Sequence, residues 1–158
     1  MKDKRALRAQ SATTESPCTA AAIRKASRRL TQFYDDALAP CGLRSTQYTL
    51  LAELARYVQN APTMTELAAA LVMDRSALGH NLKPLERDGL IVFVTSEGDA
   101  RRRCIKLTPQ GKAKVRQARK YWQMAQARFE KVFGKKAAFT LRTTMLGIAY
   151  DARLSLPL

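Results

Sequence analysis

The sequence has little of the chemistry from which enzymes and metal sites are built. Histidine occurs once, at His80, and the three cysteines, Cys18, Cys41 and Cys104, lie far apart with no Cys-x-x-Cys pair. Structural zinc needs clustered Cys or His ligands, and nucleophilic catalysis needs a base beside the nucleophile. No glycine-rich loop that could hold a phosphate follows a predicted strand. We therefore expect no enzyme, no metal site and no cofactor.

Long hydrophobic runs are also missing. The longest, Leu67–Met73, is far shorter than the roughly 20 residues that cross a bilayer. Residues 1–17 are polar and basic without the apolar stretch of a secretory signal, and we expect them to form a flexible arm. An odd number of scattered cysteines is typical of a reducing compartment. These features predict a cytoplasmic protein with no membrane partner.

Acidic residues are scarce. Lysine and arginine number 28 against 13 acidic residues, which gives a net charge of +15. Between Arg101 and Lys136 there are thirteen basic residues and a single acid, Glu130. Such a surplus favours a polyanionic partner, of which DNA phosphate is the commonest. A basic surface that serves only solubility is the alternative.

Apolar residues recur at every third or fourth position over most of the chain, which predicts a mainly α-helical fold. The first helix is expected over residues 21–38, ended by Pro40 and Gly42. Ser45 or Thr46 is expected to cap the second helix. The apolar face of that helix carries Tyr48, Leu51, Ala55 and Val58.

Two short helices and a hairpin follow. Thr63 and Glu66 form a capping box at the first short helix, and Asp74 can cap the second. The buried stripe of the second carries Leu78, Leu82 and Leu85. Strands are predicted at residues 91–94 and 104–107, with arginines near the tip of the hairpin. This is the pattern of a winged helix-turn-helix, whose second helix fits the major groove of DNA and whose wing reaches the minor groove.

The last third of the chain carries two further apolar stripes with a period near 3.5 residues. The first stripe comprises Val115, Ala118, Trp122, Ala125, Phe129 and Val132, and the second Ala138, Leu141, Met145, Ile148 and Ala152. Such stripes are typical of helices that pack along other helices. We expect them to join two subunits. Packing of the two helices against each other within one chain is the alternative.

Six segments of the sequence together resemble the MarR family of winged helix-turn-helix regulators. They are residues 42–48, 65–68, 73–76, 85–91, 98–101 and 107–111. The resemblance implies a homodimer that binds a palindromic operator in double-stranded DNA, usually as a repressor released by a ligand or by oxidation. It implies one domain over residues 18–158, with a winged core at about 44–107 and dimerisation helices at about 18–40 and 108–156.

The resemblance also implies DNA-binding residues. On the recognition helix they are Arg75, Ser76, His80, Asn81 and Lys83, and on the wing Asp99, Arg101, Arg102 and Arg103. Arg101 would enter the minor groove while Asp99 orients the wing tip. Arg102 and Arg103 would alternate in direction, so that one can meet a phosphate. Gly79 stands where many relatives carry a larger polar residue, so the resemblance does not imply direct base reading at this point.

The family's effector crevice lies between the dimer helices and the winged lobe. Arg28, Tyr34, Tyr48 and Trp122 are candidates to line it, and an arginine among aromatic rings suits an aromatic carboxylate. Core packing of Tyr48 and Trp122 is the alternative.

Two other functions stay open. Cys18 lies near a helix start, two residues before Ala20, where peroxide-sensing relatives carry their reactive cysteine, so a redox switch is one alternative. A DNA-binding protein without sequence preference is the other.

Overall fold

The computed structural model describes residues 18–96 and 99–155, and it divides the chain into two units, Met1–Phe33 and Tyr34–Leu158. The predicted basic arm lies outside the described residues. The helices are α1 Thr19–Leu38, α2 Ser45–Leu54, α3 Met64–Ala70, α4 Arg75–Arg87, α5 Pro109–Phe133 and α6 Lys135–Ala149. The strands are β1 Ile91–Ser96 and β2 Asp99–Leu107. Short 3-10 helices span Ala39–Cys41 and Ala152–Ser155. Among the residues described, no helix is long and apolar enough to cross a membrane.

The start of α2 differs from the prediction. Neither Ser45 nor Thr46 caps it, because the helix begins at Ser45 itself and Arg44 is the N-cap residue. The Ser45 backbone N–H and hydroxyl both donate to Asp35 Oδ1, each at 2.6 Å. The Arg44 N–H donates to Gln47 Oε1 at 2.9 Å. A carboxylate at the end of α1 therefore fixes the start of α2.

The end of α2 also differs. The predicted apolar face continued to Val58, but the helix ends at Leu54, and Val58 is 89% exposed. Tyr48 and Leu51 are buried as expected, whereas Ala55 is exposed. The apolar spacing continues past the point at which the core ends, and spacing alone does not show that point.

Both short helices begin as predicted. Thr63 N–H donates to Glu66 Oε2 at 2.7 Å, and Glu66 N–H donates to Thr63 Oγ1 at 3.3 Å, which completes the capping box. Asp74 Oδ1 accepts a hydrogen bond from Ala77 N–H at 2.8 Å. The predicted stripe of α4 is fully packed: Leu78, Leu82 and Leu85 are each no more than 1% exposed.

The two strands form an antiparallel hairpin in which Ile91 pairs with Leu107 and Val94 with Cys104. The base of the hairpin is joined to the start of α3, because Ile105 N–H donates to the Pro62 carbonyl at 2.9 Å. This wing and the helices before it share a core with α5 through Ala118. The predicted fold class, mainly α-helical with a two-stranded wing, is confirmed.

The two late stripes meet different environments. On α5, Ala118 and Ala125 are buried and Val132 is 68% exposed. On α6, the small Ala138 is buried, but the larger members of its stripe remain on the surface: Leu141, Met145 and Ile148. The described part of the chain therefore buries small members of both stripes and leaves Val132 on α5 and the large members on α6 exposed.

Candidate DNA interface and effector pocket

The exposed face of α4 gathers the predicted recognition residues. Because the leucine stripe holds one side of the helix in the core, the side chains between those leucines project outward. The exposed members are Arg75, Ser76, His80 and Lys83. Two cations and two hydrogen-bonding side chains thus share a short stretch of one helix.

Two positions on this face stand apart. Asn81 is only half exposed, and its Nδ2 donates to the Ala77 carbonyl at 2.8 Å, so part of its hydrogen-bonding capacity is used within the helix. At Gly79, an added Cβ would meet nothing within 4 Å. Glycine is therefore not required there by packing, and the helix surface is locally bare.

Two of the wing arginines contact other side chains of the protein. Arg102 Nη2 lies 2.6 Å from Glu66 Oε1, on α3. The guanidinium of Arg103 lies 5.3 Å from the centre of the Phe93 ring on the neighbouring strand. Asp99 and Arg101 belong to β2, but their side chains are outside the described part of the chain.

Glu66 has a larger role than the sequence suggested. Its Oε2 accepts from the Thr63 N–H at 2.7 Å and from the Thr63 hydroxyl at 2.9 Å, while its Oε1 accepts from Arg102. These hydrogen bonds, those from Thr63 first and that from Arg102 next, lower the pKa of Glu66. The capping box was visible in the sequence, but the partner 36 residues later was not.

An open pocket of about 540 Å³ lies where the end of α1 meets α2 and α5 in the second unit. It brings together three of the four predicted effector residues, Tyr34, Tyr48 and Trp122, whereas Arg28 is exposed on the part of α1 that belongs to the first unit. The residues lining it are Tyr34, Leu38, Ser45, Tyr48, Thr49, Ala52, Glu53, Arg56 and Trp122.

Arg56 is the pocket cation that the sequence did not reveal. It lies beyond the end of α2, where a longer helix was expected. Its Nη1 is 3.2 Å from Glu53 Oε2, and its side chain is 77% exposed while that of Glu53 is 19% exposed. A guanidinium at the edge of a pocket lined by aromatic rings is suited to receive a carboxylate.

The aromatic side chains belong both to the pocket and to the core. Tyr48 is 8% exposed, and its ring centre lies 6.3 Å from that of Trp122. Burial raises the pKa of Tyr48 and that of Tyr34. The Tyr34 hydroxyl donates to Gln126 Oε1 at 2.8 Å, and Gln126 Nε2 donates to Glu130 Oε1 at 3.0 Å. These rings are therefore core residues that also line the pocket.

The cysteines are in contrasting places. Cys18 is exposed just before α1, whereas Cys41 and Cys104 are buried. Cys41 Sγ donates to the Leu38 carbonyl at 3.0 Å. Over the described residues, no three His, Cys, Asp or Glu side chains are grouped so that they could hold a metal ion.

The sequence and the fold match known regulators. A family model described as "MarR family" matches residues 42–102. A protein of Thauera aromatica assigned as a transcriptional regulatory protein for the hcr operon is 32% identical over 97 residues, which cover 60% of this chain and 56% of that protein. The chain thus spans little more than half the length of this relative.

Two solved structures resemble the chain over most of its length. The Mycobacterium tuberculosis transcriptional regulator MosR, in a complex with DNA, is 33% identical, with a TM-score of 0.77, and the match covers 89% of this chain and 99% of that one. The repressor CouR, bound to a 23-mer DNA duplex, is 26% identical with a TM-score of 0.74 over 84% of this chain and 92% of that one.

These matches are transcriptional regulators and not enzymes, in agreement with the sequence prediction. In this chain, the helix-turn-helix, the wing and the exposed basic face of α4 have the arrangement of a winged helix-turn-helix DNA-reading lobe. The chain belongs to the MarR family of transcriptional regulators.

Proposed function

We propose that the protein is a cytoplasmic homodimeric repressor that binds a palindromic operator in double-stranded DNA. The observation that carries the proposal is the exposed face of α4, where Arg75, Ser76, His80 and Lys83 stand opposite a fully buried leucine stripe. A helix of this kind can enter a major groove with its polar side chains against base edges and phosphates. MosR and CouR, which share the fold, were solved on DNA.

The dimer is argued from α6. Its surface carries a group of exposed apolar side chains: Phe139, Leu141, Met145, Leu146 and Ile148. Large apolar side chains exposed together on one helix favour a protein interface. Ile23, Leu30 and Phe33 recur along one face of α1 and can supply part of the same interface from the partner. A two-fold dimer then presents two recognition helices about one helical turn of DNA apart.

Selection of bound sequences from a random DNA pool tests the proposal. A regulator should recover a palindrome and prefer it to random DNA by roughly 10³-fold or more. Lys83→Ala should weaken binding, whereas Lys136→Ala, which removes an exposed charge on α6, is the matched control and should change binding little. An equal affinity for every sequence would instead support a DNA-binding protein without sequence preference.

We further propose that a small aromatic carboxylate in the pocket releases the DNA. Tyr48 and Trp122 offer ring surfaces, and Arg56 offers the cation that Arg28 was expected to provide. A bound carboxylate would replace Glu53 as the partner of Arg56. Glu53 opposes the ligand by like charge, so neutralising Glu53 should favour binding.

The effector proposal is tested by titrating the operator complex with benzoate and 4-hydroxybenzoate. Arg56→Gln should raise the concentration needed for release by about tenfold, the scale of one charge-assisted hydrogen bond, and Glu53→Gln should lower it. Arg28→Gln is the matched control. Release that is impaired only in Arg28→Gln would place the ligand elsewhere.

The redox alternative has its own test. Replacing Cys18, Cys41 and Cys104 by Ser together should leave operator binding and ligand release intact. If the triple variant no longer releases DNA on exposure to peroxide while the unmodified protein does, a thiol is the switch.

A further inference from the structure

The ion pair between Glu66 and Arg102 joins the two parts of the DNA-binding lobe that must act together. Glu66 lies in the first turn of α3, the first helix of the helix-turn-helix, and Arg102 lies on β2 of the wing. Their side chains meet at 2.6 Å. The two residues are 36 positions apart in the sequence, so the pair links two separate elements, α3 and β2.

Among the described residues, the backbone contacts between the wing and the start of α3 lie at the base of the wing. Ile105 N–H donates to the Pro62 carbonyl, and Thr63 and Cys104 form an isolated bridge. Arg102 lies two residues farther toward the wing tip than Cys104. The Glu66–Arg102 pair therefore extends the attachment of the wing to α3 outward, toward the segment that contains Arg101.

Exposed ion pairs usually contribute little, because both side chains lose freedom when they pair. Here one partner is fixed beforehand. Glu66 Oε2 is held by the Thr63 N–H and hydroxyl at 2.7 and 2.9 Å, which leaves Oε1 directed at the guanidinium. Only Arg102 has to be ordered, so the pair keeps more of its interaction energy than two mobile side chains would.

We infer that Glu66 is a positioning residue for the wing. By holding Arg102 against α3, it keeps the wing of the free protein in the position in which it binds DNA. Arg102 thereby serves the wing from within the protein and is not the arginine that contacts DNA. The inference rests on the proposed operator binding and refines the role assigned to Arg102 from the sequence.

Glu66→Gln separates this role from the capping role. Glutamine also completes a capping box at this helix position, so the start of α3 and the melting temperature should be kept while the ion pair is lost. Simple electrostatics predicts the opposite sign, because removing a negative charge from a DNA-binding surface should strengthen binding. A loss of affinity in Glu66→Gln therefore reports on the position of the wing.

Operator affinity is measured for Glu66→Gln, for Arg102→Met and for the double variant. The expected loss is about two- to five-fold per wing, and both single variants should equal the double variant because they remove one shared contact. An operator shortened so that it lacks the flanking base pairs beneath the wings should show no loss. Glu86→Gln, which removes an exposed acid from α4, is the charge-matched control.

Several results would overturn the inference. The first is unchanged or stronger operator binding by Glu66→Gln, and the second is an equal loss of affinity on the shortened operator. The third is a further loss when Arg102→Met is added to Glu66→Gln, together with a weaker dependence of affinity on salt, which would mean that Arg102 contacts phosphate.

A measurement without DNA keeps the inference separate from the proposed function. In the free protein, Glu66→Gln should speed amide hydrogen exchange in β2 and leave exchange in α4 unchanged. Unchanged exchange in β2 would contradict the inference even if operator binding is confirmed. Failure of the unmodified chain to bind any operator would contradict the proposed function instead.

Discussion

Helices α4 and α6 carry similar apolar stripes but meet opposite surroundings. On α4, Leu78, Leu82 and Leu85 are at most 1% exposed, whereas on α6, Met145 and Ile148 are 37% and 40% exposed. Burial in the lobe stabilises the fold of one chain. The similar stripe on α6 is only partly covered by the described part of the chain, which leaves apolar surface that a second subunit could cover. A heptad-like pattern therefore predicts that a helix will pack, but not whether its partner lies in the same chain.

One substitution made in both helices tests this difference, and the larger effect is expected in α4. Leu82→Asp would place an unpaired charge in a core position that is 1% exposed. Because such a charge costs several kcal/mol and the whole fold is stable by only about 5–15 kcal/mol, the chain should lose its cooperative melting transition. Circular dichroism with heating measures this, and a normal transition would contradict the core assignment.

Ile148→Asp should leave each chain folded but separate the subunits. The residue is 40% exposed in the single chain, so the charge stays in water unless a partner covers it. We expect a folded monomer whose operator affinity falls by about 100-fold or more, because one half-site then binds without its neighbour. Size-exclusion chromatography and DNA titration measure the two effects. Thr140→Asp, at an exposed α6 position on the side of the helix away from these apolar residues, is the control and should remain dimeric.

Salt should separate the two regions without any mutation. If about 6–10 phosphates are neutralised, operator affinity should fall about 10³- to 10⁵-fold between 50 and 200 mM salt. Dimerisation through an apolar α6 should barely respond over the same range. Operator titrations and sedimentation at matched salt test this together. A flat response of DNA binding, or a steep response of the dimer, would reverse the assignment of the two surfaces.

The smallest expected effect is at the wing. Arg101→Ala should weaken operator binding by about 1–3 kcal/mol if Arg101 makes a specific contact. The melting temperature should change little, because Arg101 is not part of the buried leucine stripe of α4. Titration at fixed salt, with the melting temperature measured in parallel, checks both. Unchanged affinity would remove Arg101 from the interface.

Sequence reasoning succeeded where local chemistry decides the structure. The capping box of Thr63 and Glu66, the Asp74 cap and the pairing of the two wing strands were all predictable, because each depends on residues close in sequence or on a clear apolar alternation. The leucine stripe of α4 follows from helical period alone.

It failed where distant residues decide. Asp35 fixes the start of α2 through Ser45, ten residues later, and Glu66 reaches Arg102 on the wing. Arg56 entered the pocket because α2 ends before the apolar spacing does. The spacing of apolar residues predicts neither which distant side chains pair nor where a buried core ends.

The most direct test of the account is sedimentation equilibrium of the unmodified protein, alone and with its selected operator. We expect a species of twice the 17.6 kDa chain mass without DNA, and one such dimer on each palindrome. A monomer that nevertheless binds the operator with full affinity would contradict the central claim that the exposed stripe of α6 builds the DNA-binding form.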